Sequence, residues 1–242
     1  MKVHVFESAE AAGRAVAGRV RDALAIKPPL VLGLAAGHTP VPAYVALRRM
    51  VAAGEIDFAR ASTVNLDEFV GVERSHPGSF YRFMAAHLFD GIDIEPGHVH
   101  FLDGMAPNLV RECEQYEQTI TALGGIDLQI LGIGQNGHIA FNEPGDALIA
   151  RTHVATLLPQ TRAANAPLFG GDVTRVPAEA LTMGVGTILE AREIVLIATG
   201  EMKAEAVLSM LQGPVTPRVP ASFLQLHAGA AVYLDRAAAS RL

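Results

Sequence analysis

Cysteine is nearly absent from the chain: Cys113 stands alone among 242 residues. A lone thiol closes no intramolecular disulfide and builds no cysteine-rich zinc site, so a disulfide scaffold and a zinc ribbon are excluded and a reducing, cytoplasmic setting is expected. Long apolar runs are missing too. None approaches the roughly 18 residues that would cross a bilayer, and Met1 to Phe6 carries one lysine and no signal-like apolar core, so neither export nor a membrane partner is expected. There is no basic block. Lys and Arg number 19 against 25 Asp and Glu, a net charge of −6, which argues against nucleic acid as a partner. Gly (23) and Pro (14) are too few for a low-complexity chain, and 50% of the residues are hydrophobic, so the whole chain is expected to fold.

What is present is a rhythm of short β-branched runs and longer Ala-rich stretches. Strands are predicted at Val3 to Phe6, Leu30 to Leu34, Ser62 to Asn65, His98 to Leu102, Ile126 to Leu131, His153 to Leu157, Glu193 to Thr199 and Ala230 to Leu234. Helices are predicted from Ser8, as N-cap, to about Ala25, from Pro40 to Met50, Phe80 to Leu88, Leu109 to Leu123 and Met202 to Leu211. Apolar strands alternating with helices argue for a doubly wound α/β fold, Rossmann-like, with a mainly parallel sheet and helices on both faces. No repeat or linker marks a boundary, so residues 1–242 are expected to form a single domain.

In an open α/β sheet the ligand lies beyond the carboxyl ends of the strands, which directs attention to four loops. Gly132 to Gly137 spells GxGxxG after a strand, but a dinucleotide fingerprint opens a helix and is followed by a ribose-binding acid. Pro144 and Gly145 and the absence of Asp or Glu over Arg151 to Leu157 argue against that reading. In the same loop His138 and Glu143, with Asn136, form either a general acid/base set or a loop held by side-chain hydrogen bonds. Asp67 and Glu68 follow an apolar strand. Successive residues of an extended segment point opposite ways, so at most one of them faces a ligand and the other makes a structural bond. Ala35 to Pro40 joins a strand to a helix whose start at Pro40 leaves backbone N–H groups free for an anion. Lys203, after Thr199-Gly200, is placed to supply a cation.

Taken together, LGLAAGHTP, VNLDEFVG, LGIGQNGHIAFNEPG, TRAAN and TGEMKAEAVL resemble the glucosamine-6-phosphate deaminase (isomerase) family in its short bacterial form. The resemblance implies conversion of glucosamine 6-phosphate to fructose 6-phosphate and ammonia, with neither a cofactor nor a metal. It implies Asp67 as the base moving a proton between C2 and C1, His138 as the residue assisting ring opening, and Glu143 as its carboxylate partner. Asn136 stands where long members carry an Asp. Gly37, His38, Thr39, Gly132 and Lys203 are the implied substrate and phosphate contacts. Two departures bear on the substrate. His38 interrupts the family's Thr-Gly-Gly-Thr-Pro pattern, and Pro167 stands where the family places a phosphate-binding arginine. His38 either replaces that cation, packs against a neighbour or marks a changed substrate. The partner expected is a phosphorylated amino sugar, with assembly as a homo-oligomer left open. The alternatives are an enzyme for another sugar phosphate, such as galactosamine 6-phosphate, and a non-catalytic sugar-phosphate sensor.

Overall fold

The computed structural model describes residues 1–242. Seven strands, β1 (Lys2–Phe6), β2 (Val31–Leu34), β3 (Ser62–Asn65), β5 (Val99–His100), β6 (Leu128–Leu131), β9 (Glu193–Ala198) and β10 (Ala230–Asp235), pair in parallel in the order β1-β10-β9-β6-β2-β3-β5. The chain leaves β2 toward β3 and β5, and leaves β6 the opposite way, toward β9 and β10. That reversal falls between two neighbouring strands and opens a crevice at their carboxyl ends. The loops Ala35 to Pro40 and Gly132 to Gly145 emerge side by side there.

Helices cover both faces. On one lie α1 (Ala9–Ile26), α2 (Val41–Ala52) and α3 (Phe80–His87); on the other, α4 (Leu109–Ala122), α6 (Val185–Leu189) and α7 (Ala204–Gln212). Strand β9 shows why the central strands read as unbroken apolar runs. Val195 and Ile197 join the core under α1 and α2, while Ile194, Leu196 and Ala198 join the core under α4 and α7. A period of two with both faces buried leaves no polar position between Ile194 and Ala198.

Local chemistry sets most boundaries. Ser8 caps α1 by accepting from the Ala11 N–H at 3.2 Å, and Asn108 caps α4 by accepting from Arg111 at 3.0 Å, as the orphan donors of a first turn require. Pro40 stands one position earlier than expected, as the N-cap of α2, with Pro42 inside the first turn. Strand β5 is two residues long rather than five, and α7 starts at Ala204 after a short 3-10 turn over Glu201–Lys203.

The expected parallel sheet is joined by a second, antiparallel one. It consists of β4 (Asp67–Phe69), β8 (Glu179–Thr182) and β7 (His153–Thr156), in the order β4-β8-β7. Only β7 is legible as a strand, because Asp67-Glu68-Phe69 is too short and too charged, and Glu179-Ala180-Leu181 has helix-forming composition. Pairing across distant parts of the chain overrides both tendencies. With α5 (Pro159–Asn165), this sheet walls one side of the crevice.

Gly33, in β2, shows how tightly the sheet is covered. A Cβ there would lie 2.0 Å from Oε1 of Gln129, a wholly buried side chain whose Nε2 donates to the Ile130 carbonyl at 2.8 Å. Gly33→Ala is expected to destabilise the fold by about 1–3 kcal/mol through overpacking. The check is the urea midpoint, and an unchanged midpoint would mean that the Gln129 amide can turn aside.

Candidate active site

A cavity of about 840 Å³ opens between the loops after β2, β3, β6 and β9, with α5 on its far side. Gly37, His38, Thr39, Asp67, Gly132, Asn136, His138 and Lys203 all border it. Glu143 stands directly behind His138. Pro167 lies on the surface, outside the cavity.

Asp67 and Glu68 part ways as an extended segment requires. The buried Glu68 carboxylate accepts from the backbone N–H groups of Phe69 at 2.9 Å, Phe80 at 3.0 Å and Tyr81 at 2.9 Å, and from the Ser79 hydroxyl at 2.7 Å. Phe80 and Tyr81 open α3 and Ser79 is its N-cap, so Glu68 satisfies a helix start and is the structural acid of the pair. Asp67 faces the cavity, only 7% exposed, and no donor of the chain meets its carboxylate. Burial, followed by the Glu68 charge, pushes its pKa up to about 8. A carboxylate left unpaired at such a cost holds strong basicity toward whatever fills the cavity.

On the opposite loop the imidazole Nδ1 of His138 lies 3.3 Å from Oε2 of Glu143. The Asn136 amide donates to the same oxygen at 2.9 Å, and the Leu158 backbone N–H donates to Oε1 at 3.3 Å. Burial raises the Glu143 pKa, but the neighbouring His138 imidazole, with help from Thr161 and Asn136, outweighs it, and the net direction is down. Glu143 therefore stays ionised beside the ring. Asn136 does not touch the imidazole itself; its carbonyl accepts from the His138 backbone N–H at 3.2 Å. It orients the carboxylate that orients the ring. Gly134 makes room for this arrangement, since a Cβ there would lie 2.4 Å from Cε1 and 2.5 Å from Nε2 of His138. With Nδ1 turned to Glu143, Nε2 is the nitrogen left for a ligand.

The other end of the cavity suits an anion. Gly37, at a φ of +103°, turns the loop between β2 and α2 in a conformation open mainly to glycine. Thr39 and the first turn of α2 follow it, and Lys203 borders the same cavity. No carboxylate pairs with Lys203, and burial pulls its pKa down, as expected of an ammonium awaiting an external counter-ion. Its loop is held by Asp235, whose carboxylate oxygens both accept from the Gly200 N–H at 3.1 Å. Arg162, in TRAAN, turns away to the carbonyls of Val173 and Val176, and no arginine reaches the cavity.

Gly132 to Gly137 runs into turns, not a helix, so it does not build a dinucleotide site. No group of three or more His, Cys, Asp or Glu side chains converges as metal ligands would. Residue patterns missed Gln160, Thr161 and Asn165, which reach the cavity from α5; a short helix started by Pro159 leaves little periodicity to read. Phe80 and Phe141, stacked with centroids 5.7 Å apart, serve both core and cavity wall.

A family model described as glucosamine-6-phosphate isomerases/6-phosphogluconolactonase matches residues 5–233. Glucosamine-6-phosphate deaminase 2 of Bacillus subtilis (strain 168) is 47% identical, covering 100% of this chain and 98% of the relative. Glucosamine-6-phosphate deaminase of Rhodopirellula baltica is 48% identical, covering 100% and 96%. The solved structure of a monomeric glucosamine-6-phosphate deaminase superposes with a TM-score of 0.97 at 42% identity over the whole of both chains. The 6-phosphogluconolactonase of Trypanosoma brucei, at a TM-score of 0.77 and 20% identity over 100% of this chain and 98% of its own, shares the fold. By sequence over nearly its full length and by fold over all of it, this chain belongs to the glucosamine-6-phosphate isomerase/6-phosphogluconolactonase family.

Proposed function

We propose that this chain, as one domain over residues 1–242, converts glucosamine 6-phosphate and water to fructose 6-phosphate and ammonia in the cytoplasm, with neither a metal nor a redox cofactor. The observation that carries the reading is the unpaired, buried Asp67 carboxylate sharing one cavity with the His138–Glu143 pair and a lysine that lacks a counter-ion. Thr39, the backbone of the loop after β2 and Lys203 hold the phosphate. His138 shuttles the proton of the C1 hydroxyl to the ring oxygen, opening the sugar, while Glu143 steadies the imidazole in its charged form. Asp67 then takes the C2 proton while the C1 carbonyl oxygen gains one from the substrate's ammonium, giving an enolamine, and Asp67 returns the C2 proton to C1. The nitrogen on C2 becomes an iminium, which water hydrolyses to the ketone with release of ammonia. The names of relatives sharing nearly half of the sequence support a deaminase over a lactonase.

The test is release of ammonia and fructose 6-phosphate from glucosamine 6-phosphate, run beside galactosamine 6-phosphate, unphosphorylated glucosamine and 6-phosphogluconolactone. Turnover of the first is expected; lactone hydrolysis without ammonia from any amino sugar would sink the proposal. The base must be ionised to act, so kcat/KM is expected to fall about tenfold per pH unit below the Asp67 pKa of about 8. A limb in the ordinary carboxylate range would assign the proton transfer to another group.

A further inference from the structure

A phosphate dianion in this cavity meets one permanent cation, Lys203, in a chain of net charge −6. The only other side chain at that end able to carry positive charge is His38. It is exposed at the cavity rim, one residue before Thr39 and two before the N-cap of α2. Its ring stands edge-on to Phe83 of α3, centroids 5.8 Å apart at 82°, so packing holds it at the rim. Phe83 in turn touches His87, at 4.2 Å between centroids. The remaining charged groups around it do not replace it. Burial, then the charges of His38 and Arg48, push the His87 pKa down, which disfavours charge on that ring. Arg48 donates to the Ala86 carbonyl at 3.2 Å and stays outside the cavity. Lys203, Asp67 and His138 also line the cavity, the last engaged with Glu143.

We propose that His38 is the second cation of the phosphate subsite, so that the chain's hold on a phosphate monoester weakens as the imidazole loses its proton. This rests on the sugar-phosphate reading above and adds a regulation of that site by pH. Imidazole is the side chain whose charge changes between pH 5 and 8. Packing on Phe83 and cation duty are one arrangement rather than rivals, because an edge-to-face ring contact uses up no hydrogen bond of the imidazole.

The probe is 2-amino-2-deoxyglucitol 6-phosphate, which has no carbonyl carbon and is not turned over. Its affinity is measured by calorimetry between about pH 6 and about pH 8.5, with the unphosphorylated alditol alongside. His38→Phe keeps the aromatic contact without the charge, and His38→Arg keeps a charge that does not titrate. At the acid end the wild type is expected to bind the phosphate about 10- to 100-fold more tightly than His38→Phe, the range of a charge-assisted hydrogen bond, with the ratio falling toward one at the alkaline end. Taking the ratio at each pH cancels the phosphate's own titration. His38→Arg is expected to hold its advantage over His38→Phe throughout, and the unphosphorylated alditol to show no difference among the three. A ratio independent of pH, or the same ratio without the phosphate, would overturn the role of His38 and leave the sugar-phosphate reading standing. No binding of the probe by the wild type at any pH would overturn both.

Discussion

Replacing Asp67 with asparagine is expected to lower turnover by about 100- to 10,000-fold, the contribution of one positioned base, with substrate affinity little changed. The amide keeps the shape of the carboxylate and cannot take a proton, while the phosphate end of the cavity is untouched. The decisive readout is loss of C2 deuterium to solvent, which reports the proton transfer itself. Exchange at the wild-type rate would show that Asp67 is not the base. The variant also carries its own proof of folding. Burial raises the folded-state pKa from 3.8 to about 8, so the parent's unfolded state ionises first as pH rises and its native state loses stability progressively between those values. The variant has no such group, and its melting temperature relative to the parent is expected to climb from about pH 4 to about pH 8 and then level off. A constant difference would mean that the carboxylate is solvated better than its surroundings indicate.

His138→Gln is expected to be nearly as damaging, by about 100-fold or more in deamination of the cyclic sugar, because glutamine keeps a hydrogen bond for Glu143 but cannot relay a proton. The loss should be confined to ring opening. Starting from fructose 6-phosphate and ammonia, exchange of a C1 proton with solvent passes through Asp67 alone and should survive. Equal loss in both measurements would place His138 in the transfer between C1 and C2 instead.

The strand and helix order was open to reading because its causes are local. Ser8 and Asn108 cap their helices through donors three residues away, and the apolar runs of β6 and β9 need only a period of two with both faces covered. The division of labour between Asp67 and Glu68 was also foreseeable in kind, since neighbours in an extended segment face opposite ways. Which of the two would be bonded was not, because the donors that claim Glu68 belong to Ser79, Phe80 and Tyr81. The small sheet was hidden for the same reason: β4 is a strand only because β8 lies against it.

The sequence by itself determined the alternation of elements, the turns that make loops of Ala35 to Pro40 and Gly132 to Gly145, and the chemical types in those loops, because spacing, caps and turn residues act over a few positions. Tertiary structure alone decided that β2 and β6 are neighbours, and therefore that these loops share one cavity. It decided that Asn136 grips Glu143 rather than the imidazole, that Lys203 has no internal counter-ion, and that His38 is steadied by Phe83. The protonation of Asp67 belongs with these. A carboxylate's pKa is set by the water it loses and the charges it meets, and here both are supplied by elements distant in the chain.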